Sequence, residues 1–270
     1  MFAQFTSNWI QNDKYWNDGK AEFNIFEAQE VRYGKPHASE VIHILVREPF
    51  SPNELVKTEN GEQAGAYPVL KLNQIINVPT GIYVYQQMHT NFWRINDGRL
   101  IKFSFTSNDG CGNTFKLGKR NEENWLYYYH TYWEGMSEGE EKIIPPMEAC
   151  FYDELPMRVR TIDFLKGATE FEIQLAPTMI HSKKGSQEFK LARVSFEVAD
   201  KQILVNVTHV DGKDQFILDS KFPYLLRQWK KADGSELRLK QSLKIDYWNY
   251  NKPGDREKAL GSPVQEIEAK

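Results

Sequence analysis

The sequence predicts an all-β protein with one or two short helices: a strongly curved antiparallel sheet forming an open or half barrel around a helix. Three observations carry this expectation. Roughly a dozen short apolar runs are separated by turns rich in Gly, Asn, Asp and Pro, the punctuation of an antiparallel meander. No strand–helix–strand rhythm accompanies them, so a parallel α/β sheet is not indicated. The best helix candidate is Tyr152–Phe164, where Leu155, Val159 and Ile162 recur at spacings of four and three, with Asp153 placed to cap and Pro156 in the first turn.

The elements follow in order. Residues 1–19, rich in Asn, Asp and Trp, are an irregular lead-in. Residues 20–250 form one large β domain, or two β halves meeting near 135–150, and residues 251–270 are a mobile polar tail. Ala21, Phe23 and Ile25 alternate with Glu22 and Asn24, and Tyr33-Gly34-Lys35-Pro36 turns the chain. Val41–Val46 is an unbroken apolar run, which implies burial on both faces. A polar loop over 49–65, with one helical turn at Asn53–Val56, leads to a strand over Val69–Val78. The strongest hairpin signal is Asn96-Asp97-Gly98, where glycine supplies the positive φ that a tight turn demands. Thr114–Leu117 and the aromatic strand Trp125–Trp133 precede the helix. Strands at 171–175, 189–198, 202–209, 216–218, 224–229 and 237–248 complete the set, with Asp211-Gly212 and Asp233-Gly234 between them.

Composition narrows function by exclusion. A net charge of −3 lacks the basic footprint of a nucleic-acid binder. No apolar run approaches the ~18 residues of a transmembrane helix. The chain opens Met1-Phe-Ala-Gln-Phe without a basic and apolar leader, so it is cytoplasmic, or periplasmic or envelope-associated if a leader has been removed. No phosphate loop, nucleophile elbow, His-Glu-x-x-His motif or calcium loop is present, and no cofactor or metal is expected. Cys111 and Cys150 are the disulfide candidates, two free thiols being the plainer reading.

The candidate site rests on two strand faces. Tyr83, Tyr85, Gln87 and His89 share one face, backed by Ile82, Val84 and Met88 on the other, which suggests a groove on one side of the sheet and a core on the other. In the later strand Tyr128, His130, Tyr132 and Glu134 share a face. Were the two polar faces to meet, tyrosine rings and histidines would line one concavity suited to an apolar or amphipathic ligand. Arg158 is a candidate for such a ligand's anionic head group, with Arg160, Arg94 and Lys102 as further candidates. The plainer reading puts Arg158 and Arg160 on the wet side of the helix. A catalytic reading makes His89 or His130 a general acid/base assisted by tyrosine or Glu134. An ordinary cross-strand aromatic ladder would need neither. His43, within its apolar strand, reads as a hydrogen-bonded core histidine, and His37, His181 and His209 as surface residues.

Several stretches resemble an uncharacterised family of bacterial, exported proteins: Trp16-Asn-Asp-Gly-Lys-Ala-Glu-Phe with Val31-Arg-Tyr-Gly34, Val69-Leu-Lys-Leu-Asn through Thr80-Gly-Ile-Tyr, and Cys111-Gly-Asn-Thr-Phe. Tyr152-Asp-Glu-Leu-Pro-Met-Arg-Val-Arg, Phe222-Pro-Tyr-Leu-Leu-Arg and Asp233-Gly-Ser-Glu-Leu are similar to the related open-barrel proteins, half-barrels wrapped around a helix as in periplasmic lipoprotein carriers and receptors. The resemblance implies a fold and an envelope location, and brings no functional residues with it. The resulting expectation is a non-catalytic protein holding a lipid-like small molecule in the concave face. The alternatives are an enzyme acting on a small or carbohydrate substrate, and an envelope structural or assembly component.

Overall fold

The computed structural model describes residues 5–59, 65–147, 149–165 and 169–261. Strands take up 57% of the described residues and helical turns 9%, in one large sheet that curls without closing, so the all-β expectation holds. Fifteen strands follow: β1 (Ala21–Arg32), β2 (Lys35–Phe50), β3 (Tyr67–Thr80), β4 (Tyr83–Arg94), β5 (Arg99–Asp109), β6 (Gly112–Asn121), β7 (Asn124–His130), β8 (Glu138–Ile143), β9 (Ala149–Phe151), β10 (Glu170–Ala176), β11 (Lys190–Val198), β12 (Gln202–His209), β13 (Gly212–Asp219), β14 (Leu226–Lys230) and β15 (Glu236–Ile245). Their order across the sheet is β8 to β1 and then β15 back to β9, so β1 pairs with β15 at the centre and β8 and β9 are the free edges. All pairs are antiparallel except β9 with β10.

The expected turn at 95–98 forms, with Gly98 at φ 66° and β4 paired to β5. Bulges at Ile25/Phe26, Phe92/Trp93 and Ile217/Leu218 bend their strands and add to the curl. Val41–Val46 is buried on both faces as expected. Its inward residues join the core, while Ile42, Ile44 and Val46 pack on the outside with Ala21, Phe23 and Tyr247. The chain beyond β15 therefore folds back over the outer face of β1–β3. Within the expected tail, α3 (Asp255–Leu260) forms and Arg256 bonds Glu40 on β2; residues 262–270 lie outside the described residues. The helical turn anticipated at Asn53–Val56 is replaced by plain turns.

Behind β9 the chain enters the hollow. A 3-10 turn (Tyr152–Glu154), α2 (Leu155–Arg158) and a second 3-10 turn (Val159–Thr161) make a continuous helical segment. Leu155, Val159 and Ile162 face the β10–β15 half, and Met157 faces Trp93, Phe103 and Trp125 of the other half. The segment thus separates two apolar clusters, and α1 (Asp13–Trp16) with Trp9 fills the remaining volume on the β3–β7 side.

The arginines of this segment are not on a wet face. Arg160 grips Glu22 of β1 through two bonds of 2.7 and 2.8 Å, and donates to the carbonyl of Pro223. Glu22 also accepts from Asn24 and from the Tyr15 hydroxyl. Burial alone would raise the Glu22 carboxyl, but the Arg160 guanidinium and these donors hold it below its ordinary value. Arg158 bonds Glu154, which also accepts from Trp93 Nε1 and the Phe151 amide. Wrapping the sheet around the segment required these charges to pair, since an isolated buried ion is far too costly.

Removing one partner of the buried pair should therefore be severe. Glu22→Gln is expected to lose about 3–5 kcal/mol in urea unfolding, against about 1 kcal/mol for Tyr15→Phe, which deletes one hydrogen bond to a carboxylate that keeps its other partners. Equal effects of the two substitutions would contradict the role given to Arg160.

Candidate functional site

Alternate turns of a meander lie at one end. The turns at 33–34, 81–82, 110–111, 210–211 and 231–235 therefore share a rim with the connection 177–189. The largely apolar cavity of 280 Å³ opens at this rim, between the β1–β3 wall and the β10–β14 wall. Val41 and His43 of β2 and Gln74 and Ile76 of β3 form one side. Trp229 and Leu237 form the other, with Tyr152 at the head of the helical segment and Leu175 and Ile180 beside the connection.

Two carboxylates shape these walls. Asp214, fully buried, accepts from Trp229 Nε1 at 3.1 Å and from the Ala232 amide at 2.7 Å, and lies 3.5 Å from His209 Nε2. Tyr152 is set edge-on to His209 and tilted on Trp229; burial, then the Asp214 charge, pushes its phenol well up. Asp153 is the second. It accepts from Thr178 Oγ1 and from the Met179 amide, each at 2.6 Å, while its carbonyl accepts from Gln74 and Asn91, each at 2.9 Å. Asp153 does not cap the helical segment as its sequence position suggested; it ties the segment to β3, β4 and the 177–189 connection.

That connection crosses to the far half of the sheet. Lys116 Nζ donates to the carbonyls of Met179 and His181 at 2.9 and 2.7 Å, Thr114 donates to Ser182, Tyr127 donates to Lys184, and Lys184 pairs with Glu141. Burial pushes Lys116 down to about 7, with Asp153 opposing. The connection is thus a strap that joins the two halves over the rim.

Of the residues expected to line a ligand site, Tyr83, Tyr85, Gln87 and His89 do share the inner face of β4. The faces are reversed, however, from a core behind Ile82, Val84 and Met88: those three are exposed on the outside. Tyr83 and Tyr85 meet Tyr33 at the rim, hydroxyl to hydroxyl, at 2.7 and 2.5 Å. Gln87 accepts from Arg32 at 3.1 Å. His89 is buried, 3.7 Å from Asp153 and 3.5 Å from Gln74. None of the four touches the cavity.

The later strand turns its other face inward. Trp125 and Tyr127 are buried, whereas Tyr128 and His130 point outward, the strand ends at His130, and Tyr132 and Glu134 are exposed beyond it. The two polar faces therefore do not meet, and His89 and His130 lie on opposite sides of the sheet, which removes the paired acid/base arrangement. Arg158 sits toward the opposite end, on a more polar hollow of 430 Å³, engaged by Glu154 and the Gly98 carbonyl. Arg94 pairs with Asp97 and Lys102 donates to Leu55, so no four-cation cluster forms. Cys111 is an exposed free thiol in the β5–β6 turn and Cys150 a buried one on β9, so the disulfide pairing is not made.

His209 and His181 are also drawn in from the surface, His181 beside Lys116 at 3.5 Å. His43 is buried as expected, but its Nε2 has no hydrogen-bond partner. The signal for it was a lone histidine inside Val41–Val46, visible in the sequence but open to either reading.

Burial, reinforced by Lys231 and Arg160, pushes His43 down to about 3, and burial lowers His89 despite Asp153. The native protein keeps these rings neutral while the unfolded chain takes up protons below about 6.5. Their contribution is thus complete above that value and declines as pH falls toward the native values. Unfolding free energy should drop between pH 6.5 and 4.5, and His43→Leu should flatten that slope by about 1.4 kcal/mol per pH unit near its lower end. Identical slopes in urea titrations of the two proteins would refute it.

No family model matches the sequence, and comparison with curated proteins finds no match. In fold the chain is similar to a β-barrel-like protein of a domain of unknown function, DUF1849, from Brucella abortus. The two share a TM-score of 0.51 and 10% identity over 84% of this chain and 98% of that one. A DUF1089 family protein from Pseudomonas aeruginosa overlaps at a TM-score of 0.38 and 11% identity, over 58% of this chain and 82% of that one, too slight to argue from. The likeness to the first is one of architecture: this chain has the open β-barrel fold of a β-barrel-like protein of unknown function.

Proposed function

We propose that the protein binds one small, largely apolar molecule, without chemistry, in the rim cavity. The observation that carries this reading is the 280 Å³ void that the helical segment leaves between Val41, Ile76, Leu175, Trp229 and Leu237. Apart from the more polar hollow at Arg158, much of the remaining concave face is filled by core side chains. The volume lies just under the range of roughly 300–1,000 Å³ usual for ligand pockets, and suits one compact molecule rather than a two-chained lipid. The strap supplies Thr178 and Ile180 to the wall, so ligand entry runs past it.

Ile180→Phe, which puts a ring into the cavity from the strap, is expected to abolish binding while leaving Tm unchanged or raised. Native mass spectrometry of freshly purified protein reads this directly, as a ligand adduct on the wild type that the variant lacks. An adduct retained by the variant would place the ligand elsewhere.

A second reading, assembly through the surface, draws on one observation. Met88, Phe115, Leu126 and Tyr128 are exposed on the outer face of β4, β6 and β7, beside the free edge β8. Such patches commonly mark contacts. The edge carries Glu138, Glu140, Glu141 and Lys142, charges that discourage strand addition, and this reading ranks second for that reason.

A further inference from the structure

Charged side chains line three hollows, and one of the three leaves its cations unanswered. At the rim Glu30 takes Lys231 at 3.0 Å and Arg32 at 3.5 Å, and Lys190 lies 3.4 Å from Glu188. The hollow at Arg158 sets Arg99, Arg120 and Arg158 against three carboxylates, Asp97, Glu123 and Glu154. The third is a crevice of 360 Å³ at the end of the sheet away from the rim, where β1 begins and β2 ends. Its charged lining is Lys20, Arg47, Glu48 and Lys57.

The carboxylates here are already spent. Glu48 takes Lys71 at 2.8 Å, and Asp18, two residues before Lys20, takes Lys244 at 3.1 Å. Arg47 pairs with Asp13, whose side chain is 71% exposed, and such a surface pair is weak enough to share its cation. Lys20 and Lys57 are exposed and make no ion pair or side-chain hydrogen bond among the described residues. Their backbones are held in place. The Lys20 amide donates to Asp18 Oδ1 at 3.0 Å, Lys57 bridges Phe50, and the Thr58 amide donates to the Pro49 carbonyl at 3.0 Å. Glu22 opposes Leu45, and the same antiparallel register brings Lys20 level with Arg47.

In a protein of net charge −3, two uncompensated lysines beside an arginine are a local excess of positive charge, which attracts an anion. A phosphate monoester carries about −1.5 to −2 at pH 7 and offers three acceptor oxygens. It would answer both lysines, whereas a carboxylate would answer one. The crevice falls within the range of roughly 300–1,000 Å³ usual for ligand pockets, and holds more than a phosphate group alone. Trp248, 46% exposed, lines it and offers a flat apolar surface for the remainder.

We infer that this crevice binds a small phosphate monoester with a flat substituent, its phosphate against Lys20, Arg47 and Lys57 and its substituent against Trp248. The site is separate from the rim cavity and does not depend on the reading given for it.

Isothermal titration with phenyl phosphate, benzoate and inorganic phosphate tests this on the full chain. The wild type is expected to bind phenyl phosphate at least ~10-fold more tightly than either of the others, tenfold being 1.4 kcal/mol. A double variant, Lys20→Gln with Lys57→Gln, alters only exposed side chains and is expected to lose that advantage over benzoate. Trp248→Ala is expected to weaken phenyl phosphate and leave inorganic phosphate unchanged. Undiminished binding of phenyl phosphate by the double variant would place the anion elsewhere and overturn the inference. Equal affinities of benzoate and phenyl phosphate for the wild type, a comparison that needs no variant, would overturn the phosphate assignment. No binding of phenyl phosphate by the wild type would remove the site altogether, and would leave the rim cavity to its own test with Ile180→Phe.

Discussion

Everything in this molecule depends on how a fifteen-stranded sheet fills its own hollow. A sheet of that width twists and curls, and its concave face must then meet something. Here it meets a helical segment anchored at both ends by buried polar groups: Asp153 near the rim and the Arg160–Glu22 pair toward the other end. Such pairs add little net stability over an apolar core, but they tolerate no loss of a partner. They therefore set where along the hollow the segment can sit, which apolar packing alone would leave loosely defined.

The position of the segment determines the cavity. Trp9, Trp16, Trp93 and Trp125 crowd the β3–β7 side, while on the rim side the segment begins only at Tyr152. The strap at 177–189 crosses above it, held by Asp153, Lys116 and Tyr127. The same contacts that close the two halves of the sheet thus bound the space beneath. Asp214 fixes the remaining wall by ordering Trp229 and the turn after it.

The hairpins, the double burial of Val41–Val46 and the helical stripe of Leu155, Val159 and Ile162 were all legible in the sequence, because each depends on local periodicity and turn chemistry. The strand at 125–130 shows the limit. Period-two alternation separates Trp125 and Tyr127 from Tyr128 and His130 without saying which set is inside. Both sets are aromatic, so hydrophobicity could not break the tie. Only the packing of Trp125 against Phe103 and Phe151 does so. In β4 the tie was broken the wrong way, since Gln87, His89 and Asn91 face inward to meet Arg32 and the helical segment, and the aliphatic face is left outside.

By itself, then, the amino-acid order determined an all-β meander with one helix inside it, for these features follow from contacts among near neighbours in the chain. Which face of each strand turns inward, that Glu22 and Arg160 find each other across 138 positions, and that His43 keeps a nitrogen unpartnered beside a void were decided only by the tertiary structure. Those outcomes hinge on desolvation and on partners brought together from distant segments, and neither quantity exists until the sheet has curled.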